Sequence, residues 1–464
     1  MKIKSVLGID LGTSSVKILQ RYADGMITKS KAGYETISSQ GWWDAVKKAL
    51  AQTDLETVEA IGLSSQVGTY IVDGENVISW NSGIGAKELA WLKETYTAEE
   101  FVTEISMPHP DFVSYPLPRL KYIQEQYPDS QKVCQPKDFI CEMLTGNYVT
   151  DPYSWRGLAN LNTKKYSYKF LREIGFSEEK LPEVIGETDL AGYTRQIDLG
   201  GKQLPKGIPV YTGMNDYFSA LLGMGIQNVG DMFDVSGTSE HLGVIEEELN
   251  VDTRMVSGSY LKHHVHYGVT ASSGTSLDFG LKLWKNGEMN LEEMCQKRPP
   301  IFLPYLNGER APIWDADARG MFFGISAGCT QEELAYGVME GVVFSLYHIY
   351  ESMGMPKAVR MKIAGGAAVN PVLNQLKAEM FRLPADIQEE TDSSALGAAM
   401  IALIGMGWFA DFDEAIEHIC RTRTRIEPTG KYDEWLWERF SIYKELYPAV
   451  RKQYEALKEI KNVW

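Results

Sequence analysis

The chain has 464 residues, of which 44% are hydrophobic and 23% charged, a balance typical of a soluble globular protein long enough for two domains. Its formal net charge of -16 argues against a nucleic-acid partner, which would need a basic face. No apolar run approaches the length of a membrane span, and the five cysteines lack metal-type or paired spacing. We therefore expect a cytoplasmic protein with buried free thiols, a small-molecule ligand and no membrane partner.

The predicted elements alternate between strands and helices, which is typical of the α/β class. In the first half we expect strands at 5–9, 16–21, 26–31, 58–63, 70–73, 77–80 and 207–211, and helices at 42–50, 86–100, 117–127, 139–144 and 217–222. In the second half we expect strands at 231–235, 241–246, 264–270 and 361–364, and helices at 276–284, 291–296, 332–353, 370–380 and 395–404, followed by a C-terminal capping helix. Glycines near 225–230 predict a boundary that divides the chain into domains 1–226 and 227–464.

The turn after the first strand combines an acid, a glycine and hydroxyl residues, namely Asp10, Gly12, Thr13 and Ser14. Glycine lets the backbone approach an anion closely, and backbone N–H groups and hydroxyls can bind phosphate oxygens. A carboxylate repels phosphate unless a cation lies between them, so Asp10 predicts Mg²⁺ beside a phosphate. An ordinary hairpin with a solvated turn is the alternative.

A similar turn follows the strand at 231–235, where Ser236 leads into Gly237 and Thr238. Gly12 and Gly237 are separated by close to half of the chain length. Two phosphate-type turns, one in each half, predict two related halves that face a shared nucleotide.

Asp216 follows a predicted strand and begins a predicted helix, with Tyr217 beside it. A carboxylate at this point can reach a ligand while the helix end holds its position. Together with Asp10 it suits phosphoryl transfer, in which one acid binds the metal and the other takes the proton of an attacking hydroxyl. The alternative for Asp216 is a helix N-cap.

Two further segments are candidates for ligand binding. The small residues Gly365, Gly366 and Ala367, followed by Asn370, connect a strand to a helix, where a flat ring or a phosphate can lie against the backbone. In the first half, Gln66, Trp80 and Asn81 lie at predicted strand ends; amides read hydroxyl groups, and an indole face packs on a sugar. A tight turn without a ligand and polar strand ends without a function are the respective alternatives.

Taken in order, these motifs make the chain resemble the FGGY family of carbohydrate kinases, within the actin-like ATPase superfamily. The resemblance rests on 10–13, on the turn 213–216, on 236–238, and on 365–367 with Asn370. It implies an α/β fold with two ribonuclease-H-like domains and a central cleft, with ATP bound mainly by the second domain and a sugar by the first.

The resemblance also implies residue roles. Asp216 would be the catalytic base and a second metal ligand, and Asp10 the Mg²⁺-linked acid. Thr13 and Thr238 would contact phosphates, beside Gly12, Ser14 and Gly237. Gly365, Gly366, Ala367 and Asn370 would hold the adenosine, and Gln66, Trp80, Asn81, Asp216 and Tyr217 would bind the sugar.

The sugar-binding motifs depart from the family pattern. Xylulokinases usually carry Met-His after the Ser-x-Gln motif, where this chain has Val67 and Gly68. Many relatives have Trp-x-Asp-x-Arg, whereas Trp80 is followed here by 81–84, which are Asn-Ser-Gly-Ile. We expect an ATP- and Mg²⁺-dependent kinase that acts on a ketopentose such as xylulose and forms a homodimer. The alternatives are a polyol or sugar acid such as gluconate, or a non-catalytic nucleotide-gated regulator.

Overall fold

The structure is a computed structural model that describes residues 3–108, 112–237, 239–251, 255–284 and 289–460. The chain forms two compact units. Unit 1 consists of Met1–Gln227, Gly258–Tyr260 and Asp392–Cys420, and unit 2 consists of Asn228–Ser257, Leu261–Thr391 and Arg421–Trp464. Each unit is built from three separate segments of the chain. The division into the domains 1–226 and 227–464 remains a prediction.

Strands occur along most of the chain. In chain order they are β1 (Ser5–Leu11), β2 (Ser15–Tyr22), β3 (Ile27–Gly33), β4 (Val58–Ser65), β5 (Tyr70–Val72), β6 (Asn76–Ile78), β7 (Val133–Cys134), β8 (Val149–Thr150), β9 (Ala159–Asn160), β10 (Lys165–Tyr166), β11 (Glu183–Val184), β12 (Leu190–Tyr193), β13 (Ile197–Asp198), β14 (Gln203–Leu204), β15 (Pro209–Asn215), β16 (Asp231–Ser236), β17 (Glu240–Glu246), β18 (Val256–Tyr260), β19 (His263–Thr270), β20 (Ile301–Leu303), β21 (Met321–Phe323), β22 (Arg360–Gly365), β23 (Ala385–Gln388) and β24 (Thr422–Ile426).

Helices alternate with these strands. They are α1 (Ser39–Leu50), α2 (Ala86–Thr95), α3 (Ala98–Ile105), α4 (Pro116–Gln126), α5 (Pro136–Thr145), α6 (Tyr168–Glu173), α7 (Asp216–Gly223), α8 (Gly274–Leu283), α9 (Leu291–Gln296), α10 (Gln331–Ser352), α11 (Pro371–Phe381), α12 (Ser393–Gly405), α13 (Phe412–Ile419) and α14 (Asp433–Lys458). Among the described residues, none of these helices combines the length and apolar character that crossing a membrane requires.

The main sheet of unit 1 has the strand order β12-β15-β4-β1-β2-β3. β1, β2 and β3 form an antiparallel meander, and β4 and β15 continue the sheet in parallel with β1. This part agrees with the strands expected from the alternating apolar pattern, although β15 runs to Asn215, four residues beyond the predicted end.

The main sheet of unit 2 repeats this arrangement, with the order β18-β19-β17-β16-β22-β23-β24. β16, β17 and β19 form the antiparallel meander, and β22 and β23 extend it in parallel with β16. The two halves are therefore related in topology, as the paired turns predict. The two main sheets share their strand order and pairing directions, but most of their side chains differ. The relation between the halves is therefore not evident along the rest of the sequence.

Helix α12 contributes to unit 1 although it lies far along the chain. Glycines allow it to approach the sheet, since a Cβ atom built on Gly8 would lie 1.8 Å from the carbonyl oxygen of Ala395. A Cβ atom on Gly62 would lie 1.9 Å from the carbonyl oxygen of Ala398. The neighbouring apolar side chains of the sheet belong to the core formed with α1 and α5, so the sheet lies between two helical layers.

Several elements of the structure have no counterpart in the sequence prediction. The unpredicted strands include β18, β20, β21, β23 and β24, which are short, and helix α13 was also missed. The predicted helix at 86–100 is two helices, α2 and α3, with Thr97 as the N-cap of the second. The five cysteines are free thiols, as expected, but only Cys134 and Cys141 are buried; the expected burial is wrong for Cys295, Cys329 and Cys420, which are partly exposed.

Candidate active site

Three parallel strands of unit 1 end side by side and bring polar side chains to one edge of the sheet. Asp10 lies near the end of β1, opposite Ser64 of β4, and Asn215 at the end of β15 lies opposite Ser65. Asp216 follows directly as the first residue of α7. The carboxyl ends of parallel strands are the usual ligand-binding edge of an α/β sheet, so this acidic edge is a candidate for catalysis.

Asp216 is not the helix cap. The N-cap of α7 is Asn215, whose Oδ1 accepts a hydrogen bond from the N–H of Phe218 at 3.0 Å. The alternative in which Asp216 serves as the cap is therefore wrong, because the strand extends further than predicted and the preceding residue takes that position. Asp216 Oδ1 accepts from the N–H of Tyr217 at 2.8 Å, which orients the carboxylate.

A glycine shapes the strand just before Asp216. Gly213 has a φ of +77°, and the pairing of β15 with β4 shifts register between Tyr211 and Met214. A Cβ atom on Gly213 would lie 1.7 Å from the carbonyl oxygen of Leu63. This bulge requires glycine and determines where the strand ends relative to its neighbours.

The two carboxylates of the acidic edge hold their protons unusually strongly. Burial raises the pKa of Asp10 to about 6, against a hydrogen bond that its Oδ1 accepts from Ser64 Oγ at 3.0 Å. Burial, and then the charge of Asp10, raise the pKa of Asp216 to about 7. Two buried acids with pKa values close to neutral provide, once ionised, the charge and the oxygen ligands that suit a hard cation such as Mg²⁺.

The turn between β1 and β2 presents its polar groups outward. The side chains of Thr13 and Ser14 are exposed. The N–H of Gly12 donates to the carbonyl oxygen of Ser15 at 3.0 Å, and Tyr34 Oη donates to the carbonyl oxygen of Gly12 at 2.6 Å. The turn is thus held by its own backbone and by Tyr34, while its hydroxyl groups stay accessible to an anion.

The predicted sugar-binding residues fall into two groups. Gln66 directly follows β4, is buried, and donates its N–H to the carbonyl oxygen of Leu11 at 2.8 Å, so it lies at the acidic edge with Asp216 and Tyr217. Trp80 and Asn81 instead occupy a loop after β6, which belongs to a separate small sheet.

The loop with Trp80 and Asn81 is held by a residue that the sequence did not indicate. Arg119 of α4 is fully buried; its guanidinium donates to Ser82 Oγ at 2.9 Å and to the carbonyl oxygens of Ser79 and Ser82 at 3.1 Å. These bonds fix the loop on both sides of Trp80 and Asn81. The one available signal was an arginine among apolar residues at the start of a predicted helix.

Unit 2 has a corresponding edge built from small residues. Ser236 at the end of β16 lies opposite Gly365 at the end of β22, and Gly237 and Gly366 follow with exposed backbone. Ser236 Oγ donates to the carbonyl oxygen of Ala364 at 3.1 Å and accepts from the N–H of Ala367 at 2.9 Å. The hydroxyl therefore joins the two predicted nucleotide-binding segments. Thr238 lies outside the described residues.

Asn370 caps the helix that follows. Its Oδ1 accepts from the N–H of Leu373 at 3.1 Å, and its Nδ2 lies 3.3 Å from the sulfur of Met339. The side chain is thus engaged in the structure of α11, and its contact with adenosine stays a prediction.

In the part of the chain that the structure describes, no three His, Cys, Asp or Glu side chains converge as a protein-only metal site would. Mg²⁺ at a nucleotide usually takes only one or two protein carboxylates, together with phosphate oxygens and water. The chemistry of Asp10 and Asp216 fits such a site.

Comparison with known proteins agrees with this geometry. Residues 5–223 match the N-terminal domain, and residues 233–406 the C-terminal domain, of the FGGY family of carbohydrate kinases. The chain belongs to this family. It is a sugar kinase, a phosphotransferase with the α/β fold and the two FGGY domains that the ordered motifs implied.

Among relatives of this FGGY kinase, the xylulose kinase of Staphylococcus xylosus is 28% identical, over 95% of this chain and 99% of the relative. The gluconokinase of Bacillus subtilis is 25% identical, over 92% of this chain and 93% of the relative. In fold, a crystal structure of xylulose kinase from Lactobacillus acidophilus is similar, with a TM-score of 0.84, 24% identity, and coverage of 98% of this chain and 100% of that one.

Proposed function

We propose that this kinase transfers the γ-phosphoryl group of Mg·ATP to a hydroxyl group of a ketopentose such as xylulose. The observation that carries the proposal is the carboxylate of Asp216, which lies beside Asp10 at the carboxyl ends of three parallel strands and has its pKa raised to about 7. A carboxylate with this pKa is suited to accept a proton near neutral pH.

Each unit contributes a separate task in this proposal. Asp216 accepts the proton of the sugar hydroxyl, while the N–H of Tyr217 keeps its carboxylate oriented. Gln66, Trp80 and Asn81 hold the sugar, and the edge of unit 2 at Gly237 and 365–367 binds the nucleotide. Asp10 and Asp216 would hold Mg²⁺, which supplies positive charge for the phosphate oxygens.

A sugar acid is the second candidate substrate. The relative that is named a gluconokinase motivates it. The resemblance to the family motivates it too, because Ser82 occupies the position of the acid in the Trp-x-Asp-x-Arg motif. In addition, the guanidinium of Arg156 lies 5.3 Å over the ring of Phe218, two residues after Asp216. A cation near the acidic edge would lower the electrostatic cost of an anionic acceptor.

The test is the rate of ADP release from Mg·ATP with the purified protein across ketoses, aldoses, polyols and sugar acids. We expect xylulose to give the largest stimulation; a larger response to gluconate would select the second candidate. Asp216→Ala should reduce the stimulated rate to background and leave sugar binding measurable by calorimetry.

A wild-type protein that binds ATP but shows no stimulated ADP release would contradict the kinase proposal for the sugars tested. It would then favour the nucleotide-gated regulator, for which Asp216→Ala should have no effect on function.

A further inference from the structure

Unit 2 contains a cluster of three ionisable side chains that the proposed reaction does not use. Asp234, Glu240 and Lys377 have no exposed surface. Lys377 Nζ donates to Glu240 Oε1 at 2.7 Å and also to Asp234 Oδ2. Burying three such groups is costly unless each is paired, so their placement calls for an explanation beyond core packing.

The cluster lies directly under the turn at Gly237. In the antiparallel pair of β16 and β17, Ser236 lies opposite Glu240, and Asp234 lies opposite Leu242. Asp234 and Glu240 are therefore diagonal neighbours on the same face of the hairpin, one on each strand next to the turn. A cation bound to both acidic side chains links the two strands on which the turn is built.

Lys377 lies on the helix that follows the other predicted nucleotide-binding segment. It lies on α11, which begins after Asn370 and follows the small-residue turn 365–367. The ammonium group thus connects this helix to the hairpin, and Ser236 makes a second link between the same segments through Ala364 and Ala367.

The charges of the cluster balance. Burial and the neighbouring Glu240 raise the pKa of Asp234 well above its usual value, so this carboxyl keeps its proton. Burial alone would raise the pKa of Glu240 and lower the pKa of Lys377. The attraction between their opposite charges is stronger, so the pKa of Glu240 lies below its usual value and the pKa of Lys377 lies above its usual value. One cation, one anion and one neutral acid leave the cluster without net charge.

We propose that Lys377 is a positioning residue for the nucleotide phosphates, which fixes the turn at Gly237 against helix α11. This inference rests on the proposed binding of ATP by unit 2. Backbone N–H groups stabilise a transferring phosphoryl group only when they are already held in place. A buried cation with two fixed acceptors permits one register of helix and hairpin, whereas an apolar side chain would tolerate small shifts.

The experiment separates positioning from stability. Lys377→Met alone leaves Glu240 buried without its cation, and we expect a large loss of thermal stability. In the double variant Lys377→Met/Glu240→Gln the cluster is again uncharged, so most of the melting temperature should return, while the link between helix and hairpin is absent.

The readouts are the Kd of a non-hydrolysable ATP analogue by calorimetry, kcat, and KM for the sugar, all measured well below the melting temperature. For the double variant we expect analogue affinity and kcat each to fall about tenfold or more, with KM for the sugar within about twofold of wild type. A folded double variant with wild-type analogue affinity and kcat would overturn the inference.

A matched control removes an ion pair at the opposite end of β16. Arg360 at the start of β22 pairs with Asp231 at the start of β16, with Nη2 2.9 Å from Oδ1. Arg360→Met/Asp231→Asn should lower the melting temperature but leave analogue affinity unchanged. An equal loss of affinity in the control would show a general effect of weakened strands and would overturn the role of Lys377.

If the double variant fails to fold, the single variant Glu240→Gln tests the inference instead. Asp234 can ionise to balance Lys377, so this variant stays neutral and folded but loses the charged link to β17. We expect analogue affinity to fall about threefold or more, and unchanged affinity would contradict the inference. Wild-type protein without analogue binding would refute both this inference and the proposed function, whereas binding without sugar phosphorylation would refute the proposed function alone.

Discussion

The buried position of Asp216 disfavours its ionised form in the folded protein, and the same position suits the residue to its proposed function. Its carboxylate lies beside a second acid, and both burial and that neighbour raise its pKa to about 7. The same features that disfavour its charge in the folded state give it a proton affinity matched to a reaction near neutral pH.

The pKa of Asp216 predicts the pH dependence of the rate. We expect kcat/KM for the sugar to increase as the pH rises through about 7, because only the ionised carboxylate can accept a proton. Asp216→Asn should reduce kcat by a factor of about 10³ or more and abolish this acidic limb in any residual rate. A wild-type profile that is flat between about pH 5.5 and 8 would contradict the assignment of Asp216 as the base.

The same pKa predicts an effect on stability. The stabilising contribution of the protonated acid is complete below its usual pKa of 3.8 and is lost as the pH rises through about 7. Asp216→Asn removes this loss, so the variant should melt at a higher temperature than wild type at pH 8, with a smaller difference at pH 4.5. Equal differences at both pH values would show that the carboxylate ionises freely in the folded protein.

The hydrogen bonds of Arg119 predict that its replacement weakens sugar binding. Arg119→Met preserves most of the buried volume but removes the bonds to Ser79 and Ser82, so the loop with Trp80 should lose its fixed position. We expect KM for the sugar to rise about tenfold, with KM for ATP unchanged. The control is Lys121→Met on the same helix, where the ammonium group pairs with Glu125 and lies over the ring of Trp91 but makes no bond to Ser79 or Ser82. Its KM values should equal those of wild type.

At the scale of elements, the structure of unit 1 depends on the close packing of helix α12 on its main sheet. Helix α12 consists largely of small and apolar residues and lies against strands whose glycines leave no room for a Cβ atom. The sequence predicted this helix, but not which sheet it packs on. Its partner became evident only when Gly8 and Gly62 were found beneath Ala395 and Ala398.

This contact predicts a large cost for one methyl group. Gly62→Ala would place a Cβ atom 1.9 Å from the carbonyl oxygen of Ala398, so the helix must move from the sheet. We expect the free energy of unfolding to fall by about 3 kcal/mol or more, measured by urea denaturation. Gly328→Ala is the control, because no atom lies within 4 Å of its Cβ position, and it should change stability by less than about 0.5 kcal/mol.

At the scale of the whole molecule, the chain order and the compact units do not coincide. Unit 1 ends at Gln227 but regains Asp392–Cys420, and unit 2 resumes at Arg421. A division of the sequence at its midpoint would therefore separate α12 from the sheet on which it packs.

A fragment tests this organisation. Residues 1–227 alone leave one face of the first sheet uncovered, so we expect no cooperative thermal unfolding and a weak near-ultraviolet circular dichroism signal. The same fragment joined through a flexible Gly/Ser linker to 392–420 should unfold cooperatively. A cooperative transition in the shorter fragment would contradict a structural need for α12 in unit 1.

The sequence by itself determined the α/β class, most of the long elements, the two equivalent turns and the pair Asp10 and Asp216. These features depend on short-range signals, namely apolar periodicity and the chemistry of residues at strand ends, which are legible within a few positions. The family followed from the order of those motifs, and the domain matches confirm it.

Only the tertiary structure decided which distant segments meet. In the structure, Asn215 and not Asp216 is the N-cap of α7. Arg119 donates a hydrogen bond to the loop that contains Trp80, and Lys377 binds Glu240 beneath the turn at Gly237. Each of these contacts joins elements that are not adjacent in sequence or depends on where a strand stops. Such contacts are selected by the fit and charge balance of the folded chain, and no local pattern in the sequence specifies them.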